Sequence, residues 1–515
     1  MTEPSEPTPT GSLGRAAAAG TLWLVAQKWA VRVTGLASIA ILTRLVTPEE
    51  FGVVAVASSV IPFVLMLSEL GLAAYIVQAA DIEQRRLSTA FWFSAGAAVV
   101  LGGALVAAAP VLARLTGVPA ATPVLQALAI SIAIVVLGSV PTALMRRRMQ
   151  FRTLALQATV AAFIAQVAAV ALALAGTGVW ALVFQTLISQ AVATALAWRS
   201  ARWRPTWEFS GAHLRDIGAF GVSVVSTELV VSLRTLAENT LISVVLGPVA
   251  LGYLNIAQRL IQVMQDLGAT AVLPVSTVVF AKIRDTVTRL RGAYLRSLGI
   301  AYTVVAPLLG FVVVSAPILV PTFFGPEWSG SVVATQALAI AAIATLGAGL
   351  DHGLFGGLGR PGTWCLYALP VEIVGIGATL LVIRQGIDAV AWAFAVVAIV
   401  STLARAVLVS RFVAASPGAI LMPLAAALVP ASISGAAAWA VLRLTAGLPD
   451  LVALALSCTV AGLSHVVLVR FLLPRIFTDL ITLVPLPGPV SRVVARFAPP
   501  APPAEPSDDP VPATR

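Results

Sequence analysis

Apolar stretches of about 20 residues or more recur along the whole chain, the length at which one helix crosses the hydrocarbon core of a bilayer. Short breaks carrying most of the charges and turn residues separate them. Length and apolarity place the spans at Thr21–Leu45, Phe51–Leu70, Ser88–Leu112, Thr122–Met145, Leu154–Ala175, Gly178–Ala197 and Ile217–Val244. The second half gives Ala250–Phe280, Leu298–Val320, Ser331–Phe355, Thr363–Ile383, Val390–Ser410, Ile420–Leu444 and Leu451–Leu473. The pattern predicts an all-α polytopic membrane protein with about 14 transmembrane helices. Residues 1–20 read as a disordered tail, and no cleavable signal is evident, because the first apolar stretch contains Lys28 and Arg32. Residues 474–515 read as a second, largely disordered tail whose start, Arg475-Ile476-Phe477, lies along the membrane interface.

Charge in the breaks alternates. Arg85, Arg86, Arg146–Arg147–Arg148, Arg152, Arg199, Arg202, Arg204 and Arg215 fall on one side, as do Lys282, Arg284, Arg289, Arg291, Arg296, Arg360, Arg411 and Arg475. Opposite breaks, such as Thr47–Pro48–Glu49–Glu50, Gly176–Thr177 and Gly247–Pro248, are short and carry little positive charge. Basic residues gather in cytoplasmic loops, so both termini are expected in the cytoplasm and the chain in the cytoplasmic (inner) membrane. Trp180, Trp328 and Trp392 near outer ends, with Trp92, Trp198, Trp203 and Trp364 near inner ones, read as aromatic belts at the two interfaces.

Composition narrows the classes. With 515 residues, 59% hydrophobic and only 10% charged, the chain is no soluble globular protein, which would carry about 25% charged residues. The net charge of +10 reads as loop topology rather than nucleic-acid binding. Cys365 and Cys458 sit in apolar runs and offer neither a disulfide framework nor a zinc site. No P-loop, nucleophile elbow or Asp-x-Asp sugar-transferase motif occurs, so neither an enzyme nor a cofactor or metal is expected. Transport, if that is the function, would draw on an H+ or Na+ gradient or on the membrane potential.

Two segments about 200 residues apart repeat each other. Pro48-Glu-Glu-Phe-Gly52 opens the second span and Pro248-Val-Ala-Leu-Gly252 the eighth, followed by Glu69-Leu70-Gly71 and Asp266-Leu267-Gly268. Six spans separate the copies, so two halves of equal orientation would be related by an axis along the membrane normal, with a central site between them.

Thr43-Arg-Leu-Val-Thr-Pro-Glu-Glu-Phe-Gly52 resembles the signature of bacterial polysaccharide exporters, the Wzx-like oligosaccharide flippases of the MOP (MATE-like) superfamily. The resemblance continues through Gln78, Leu87-Ser-Thr-Ala-Phe-Trp92 and Arg146-Arg-Arg-Met-Gln-Phe-Arg152. It recurs at Gly178-Val-Trp-Ala-Leu182, Leu246-Gly-Pro-Val-Ala-Leu-Gly-Tyr253, Phe324-Gly-Pro-Glu-Trp328 and Leu358-Gly-Arg-Pro-Gly362, covering roughly Thr21 to Ser410. It implies two pseudo-symmetric six-helix lobes around a central cavity plus two C-terminal helices. On this sequence that means an N-lobe over 21–198, a linker over 199–216, a C-lobe over 217–412 and spans 13 and 14 within 413–473. It also implies export of undecaprenyl-diphosphate-linked sugar units for polysaccharide biosynthesis, with a polymerase and glycosyltransferases as partners and no nucleic acid. One departure is visible: the family often has Arg three residues before an acid-Asn pair, whereas Arg234 precedes Glu238-Asn239 by four.

Charges inside the spans are the candidate chemistry. An Arg or Lys at a helix centre costs roughly 2.5–3.5 kcal/mol on insertion scales. Lys28 and Arg32, four apart and on one face, should therefore turn to a cavity or a partner rather than to lipid. Arg234, Glu238 and Asn239 form the corresponding group in the seventh span. All five are candidate substrate-binding residues. The competing reading makes Lys28 a snorkelling end residue and Arg234–Glu238 a structural pair. Glu69 and Asp266, one per repeat, read as structural pairing or capping groups or as a gate binding arginines of the opposing lobe. With Glu372, which has no partner evident in sequence, they are the gate or ion-coupling candidates. Asp351-His352 and His465 read as hydrogen-bonding groups rather than metal ligands. A lipid-linked oligosaccharide flippase fits best. A MATE-like cation/drug antiporter would want unpaired carboxylates, and a membrane glycan polymerase or ligase would want larger outer loops.

Overall fold

The computed structural model describes residue 32 and residues 34–79, 83–269, 280, 283 and 286–483. Lys28, the first expected tail over 1–20 and residues 484–515 of the second expected tail, 474–515, lie outside the described residues, while residues 474–483 of that tail are helical. The first helix, α1, is described over 34–42, and α2 (Pro48–Glu69), α3 (Leu72–Gln78), α4 (Gln84–Leu115), α5 (Ala121–Arg147), α6 (Phe151–Leu174) and α7 (Val179–Ala201) follow. Next come the bent α8 (Gly211–Ala269), α9 (Val287–Phe324), α10 (Val332–Gly357), α11 (Pro361–Val382), α12 (Ile387–Val413), α13 (Pro417–Leu444), α14 (Asp450–Leu472) and the short α15 (Pro474–Leu483).

Among the described residues 12 helices are long and apolar enough to cross a membrane. One of these, taken over Ser232–Asp266, holds two expected spans in line, because α8 breaks at Gly247 (φ 85°) before Pro248. Adding that second arm and the first span, described only in part, agrees with a count of about 14.

Local signals set the boundaries. Thr47 accepts from the Glu50 amide while the Glu50 carboxylate accepts from the Thr47 amide, a capping box that starts α2 with Pro48 in its first turn. Ser416 caps α13 ahead of Pro417 with its hydroxyl alone, accepting from the Ala419 amide. The second span ends at two consecutive left-handed residues, Leu70 (φ 43°) and Gly71 (φ 70°), and the chain then restarts as α3. Gly71 is thus a helix break.

The helices form two groups, α2–α7 and α9–α14, which meet mainly along α2 and α8. Within the first, α5 packs on α4 and on α7, and α6 lies outside on α7. Within the second, α9 is central, touching α10, α13 and α14. Residues 202–210 are pinned to the start of α4: Gln84 donates to the Arg204 carbonyl, Trp92 to that of Thr206, and Trp203 to the Gln84 side chain.

The belt reading fails for Trp328. It is fully buried and donates from Nε1 to the Thr43 carbonyl at 2.8 Å, with Phe51 and Tyr253 edge-on to its ring. A tryptophan at a helix end faces lipid or protein according to its neighbours, which apolarity along the chain does not reveal.

Candidate functional site

The repeated glycines meet each other. A Cβ on Gly52 would stand 1.8 Å from the Pro248 carbonyl oxygen, and one on Gly252 would stand 2.0 Å from that of Pro48. Backbone therefore lies directly on backbone where α2 crosses the second arm of α8, and the contact is reciprocal, as a twofold relation demands. Residues carrying the family resemblance brace this junction. Arg44 donates to the Thr322 carbonyl at 2.7 Å, Ser243 to that of Thr116 at 2.7 Å, and Tyr253 to that of Glu327 at 3.1 Å. Glu50 also accepts from the Val179 amide at 3.0 Å, close against Gly178 (φ 54°). At this end of the bundle the halves are shut.

Toward the arginine-rich end an ion pair crosses between the halves. Arg32 on the first helix meets Asp266 on the second arm of α8 at 2.5 Å, with both side chains partly exposed. Arg234, on the first arm of α8, lies between Glu238 at 3.1 Å and Glu372 of α11 at 2.5 Å. Glu238 is buried, and Glu372 is more shielded than the half-buried Arg234. The structure thus brings together Arg32 with Asp266 and Arg234 with Glu238 and Glu372. Asn239 follows them on α8, half-buried. Glu69 stands apart, lining a separate pocket of about 570 Å³ with Arg146, Gln157 and Gln190 inside the first group of helices.

The partners differ from the sequence expectation. Glu372, which has no partner evident in sequence, is held by Arg234. An ion pair as open as Arg32–Asp266 contributes only about 0–1 kcal/mol. Arg259 escaped the sequence reading because an isolated basic residue inside a span gives no sign of its facing. It lies seven residues before Asp266, two helical turns away and on the same face of α8. No ion-pair partner for it occurs among the described residues.

A third cluster is structural. Arg405 of α12, 1% exposed, bonds Asp351 of α10 at 2.6 Å, and Asp351 also accepts from Tyr294 of α9 at 2.5 Å. Gly347 makes room, since a Cβ there would be 2.5 Å from Arg405 Nη1. His465 is buried with Nε2 3.0 Å from the Thr303 carbonyl, a hydrogen-bonding role as expected. Among the described residues no group of three or more His, Cys, Asp or Glu could hold a metal ion.

A family model described as "Polysaccharide biosynthesis protein" matches residues 41–333, more than half of the chain. The chain is similar to the succinoglycan biosynthesis transport protein ExoT of Rhizobium meliloti (strain 1021), 27% identical over 60% of this chain and 62% of that protein. It is similar to the lipopolysaccharide biosynthesis protein WzxC of Escherichia coli (strain K12), 24% identical over 64% of this chain and 67% of that protein. It also resembles the teichuronic acid biosynthesis protein TuaB of Bacillus subtilis (strain 168), 23% identical over 75% and 80% of the two chains. The match to ExoT thus falls short of two thirds of that protein's length. Among solved structures, the lipid II flippase MurJ in an inward closed conformation superposes with a TM-score of 0.70 at 14% identity, covering 88% of this chain and all of that one. An inward-facing MATE family multidrug transporter of the MOP superfamily gives 0.61 at 18% identity, covering 75% and 95%. Both likenesses concern the fold.

Proposed function

The chain belongs to the polysaccharide biosynthesis protein family, and on that premise we propose that it carries a lipid-linked oligosaccharide across the cytoplasmic membrane as a secondary transporter. The observation that carries this reading is the contrast between the two ends: a backbone-tight junction at Gly52–Gly252 and a readily broken ion pair, Arg32–Asp266, toward the arginine-rich end. In this reading both termini and the arginine-rich end are cytoplasmic, so the molecule is closed to the outside. A polyprenyl-diphosphate sugar arriving from the cytoplasm exchanges its diphosphate for Asp266 on Arg32 and for a carboxylate on Arg234. Arg259 and Lys28 join the same anion site, and the polyprenyl tail stays in lipid. Freed of Arg32, Asp266 no longer ties the halves together, so binding and release of the cytoplasmic contact are one event. A polymerase and glycosyltransferases supply and consume the cargo. The cation-antiporter reading is disfavoured by Glu238 and Glu372, both of which already neutralise Arg234.

Accumulation of lipid-linked sugar on the cytoplasmic face in a deletion strain tests the assignment, and unchanged export would overturn it. Two substitutions test the site. Arg234→Gln is expected to weaken substrate binding about ten- to hundredfold, the loss of one charge-assisted bond. Asp266→Asn should do the reverse in detergent binding assays, tightening the diphosphate several-fold by removing its competitor on Arg32. Were Asp266→Asn to weaken binding as Arg234→Gln does, the exchange would be wrong.

A further inference from the structure

A second basic site lies away from the contact between the halves. The carboxyl-terminal ends of α5 and α7 converge on a pocket of about 710 Å³ lined by Arg148, Gln150, Thr153, Arg199, Ser200 and Arg202. Its helices are peripheral: α6 packs on α7 and α5, and α7 packs on α5, α6 and α2, all of the first group. The pocket is therefore separate from Arg32, Arg234 and Arg259.

Its charge exceeds any structural need visible there. Two helix C-termini present roughly half a negative charge each, against three guanidiniums. Arg148 uses one N–H to cap the Ala201 carbonyl at 2.9 Å, which fixes it at the pocket wall. Among the described residues, no carboxylate forms an ion pair with Arg148, Arg199 or Arg202, and none lines the pocket. Among the described residues, two of the four non-glycine residues held at positive φ are here, Met149 (φ 57°) beside the pocket and Arg202 (φ 48°) in its wall. A left-handed non-glycine residue costs of order 1–3 kcal/mol and persists where its surroundings fix it.

The rim is apolar and open. Met149 is 72% exposed and Phe151 54%, and Leu156, Val160, Phe163 and Val167 form one exposed apolar face of α6, on the side of the pocket residue Thr153. A guanidinium pocket beside a helix end, above an uncovered apolar stripe, matches a molecule with an anionic head and acyl chains. We propose that this pocket binds the phosphodiester headgroup of an anionic membrane lipid, whose chains lie along α6. Gln150, Thr153 and Ser200 supply neutral hydrogen bonds around a phosphate held by Arg199 and Arg202, with Arg148 behind it. The site does not depend on the transport reading, because it needs only that the protein sit in a membrane.

Native mass spectrometry of the full chain in detergent, titrated with phosphatidylglycerol, tests this. The double variant Arg199→Gln with Arg202→Gln leaves the Arg148 cap intact. It should retain the lipid roughly thirtyfold more weakly, from the loss of two basic groups near the membrane surface. Phosphatidylcholine should be retained equally by both proteins. A control losing as much charge in the other group of helices, Arg289→Gln with Arg411→Gln, should match the wild type. Equal weakening by the control would reduce the effect to bulk charge and overturn the proposal, as would unchanged retention by the double variant. Displacement of the lipid by equimolar inorganic phosphate would also overturn it, leaving a site for phosphate alone. Unaltered melting of the double variant shows that the readout is binding rather than folding.

Discussion

Replacing either junction glycine with valine should abolish transport while leaving the protein in the membrane. At Gly52 and Gly252 even a methyl group would stand about 2 Å from a carbonyl oxygen of the facing helix. No rotamer relieves that, because the obstructing atoms are backbone. Overpacking ordinarily costs about 1–3 kcal/mol when side chains can yield; here the helices have to separate. The shut end should open permanently. A cysteine placed at Thr322, whose carbonyl Arg44 holds across the junction, should become reactive toward an impermeant thiol reagent in intact cells. The reagent should leave the same cysteine largely untouched in the wild-type background. Gly52→Val or Gly252→Val that transports normally, with Thr322→Cys still protected, would show that the junction is not a moving part.

The Asp351–Arg405 cluster should dominate stability. Removing one member of a buried ion pair leaves the other charge uncompensated, at a cost of about 3–5 kcal/mol. Asp351→Ala strands Arg405 and also deprives Tyr294 of its acceptor, so it should lower the melting temperature in detergent more than any substitution at the exposed Arg32–Asp266 pair. Replacing both charges with apolar residues of similar volume, Asp351→Leu with Arg405→Met, should recover most of the loss. Gly347→Ala should resemble the single variant, because its methyl group displaces the guanidinium. Equal melting of Asp351→Ala and wild type would show that the cluster contributes nothing measurable.

Legibility in the sequence followed the range of the interactions. The spans were readable because hydrocarbon burial leaves a local record, and the break at Gly247 fell where two spans had been separated at Gly247–Pro248. The repeat was readable too, but not that Gly52 and Gly252 touch, because nothing local distinguishes a glycine that packs against its own copy. Ion-pair partners were the least accessible. Arg234 reaches Glu372 across 138 residues, and Arg32 takes Asp266 from the other half of the chain. Arg405, inside an apolar span, signals that a buried acid lies somewhere, and Asp351 is an acid inside another span. What the sequence lacked was the facing of α10 against α12. Many residues that carry the family resemblance, Thr43, Phe51, Tyr253 and Trp328 among them, turned out to build the closed junction.

The ion pairs inside the spans also have an electrical consequence. Arg32 with Asp266 sums to zero formal charge, Arg234 with Glu238 and Glu372 to minus one, and Arg405 with Asp351 to zero. Helices so paired drag little net charge through the field as they rock beyond that of Arg259, whereas each uncompensated charge crossing 100 mV is worth about 2.3 kcal/mol. The slope of transport rate against imposed voltage in proteoliposomes would then count the charges on the cargo together with Arg259, rather than every charge in the spans.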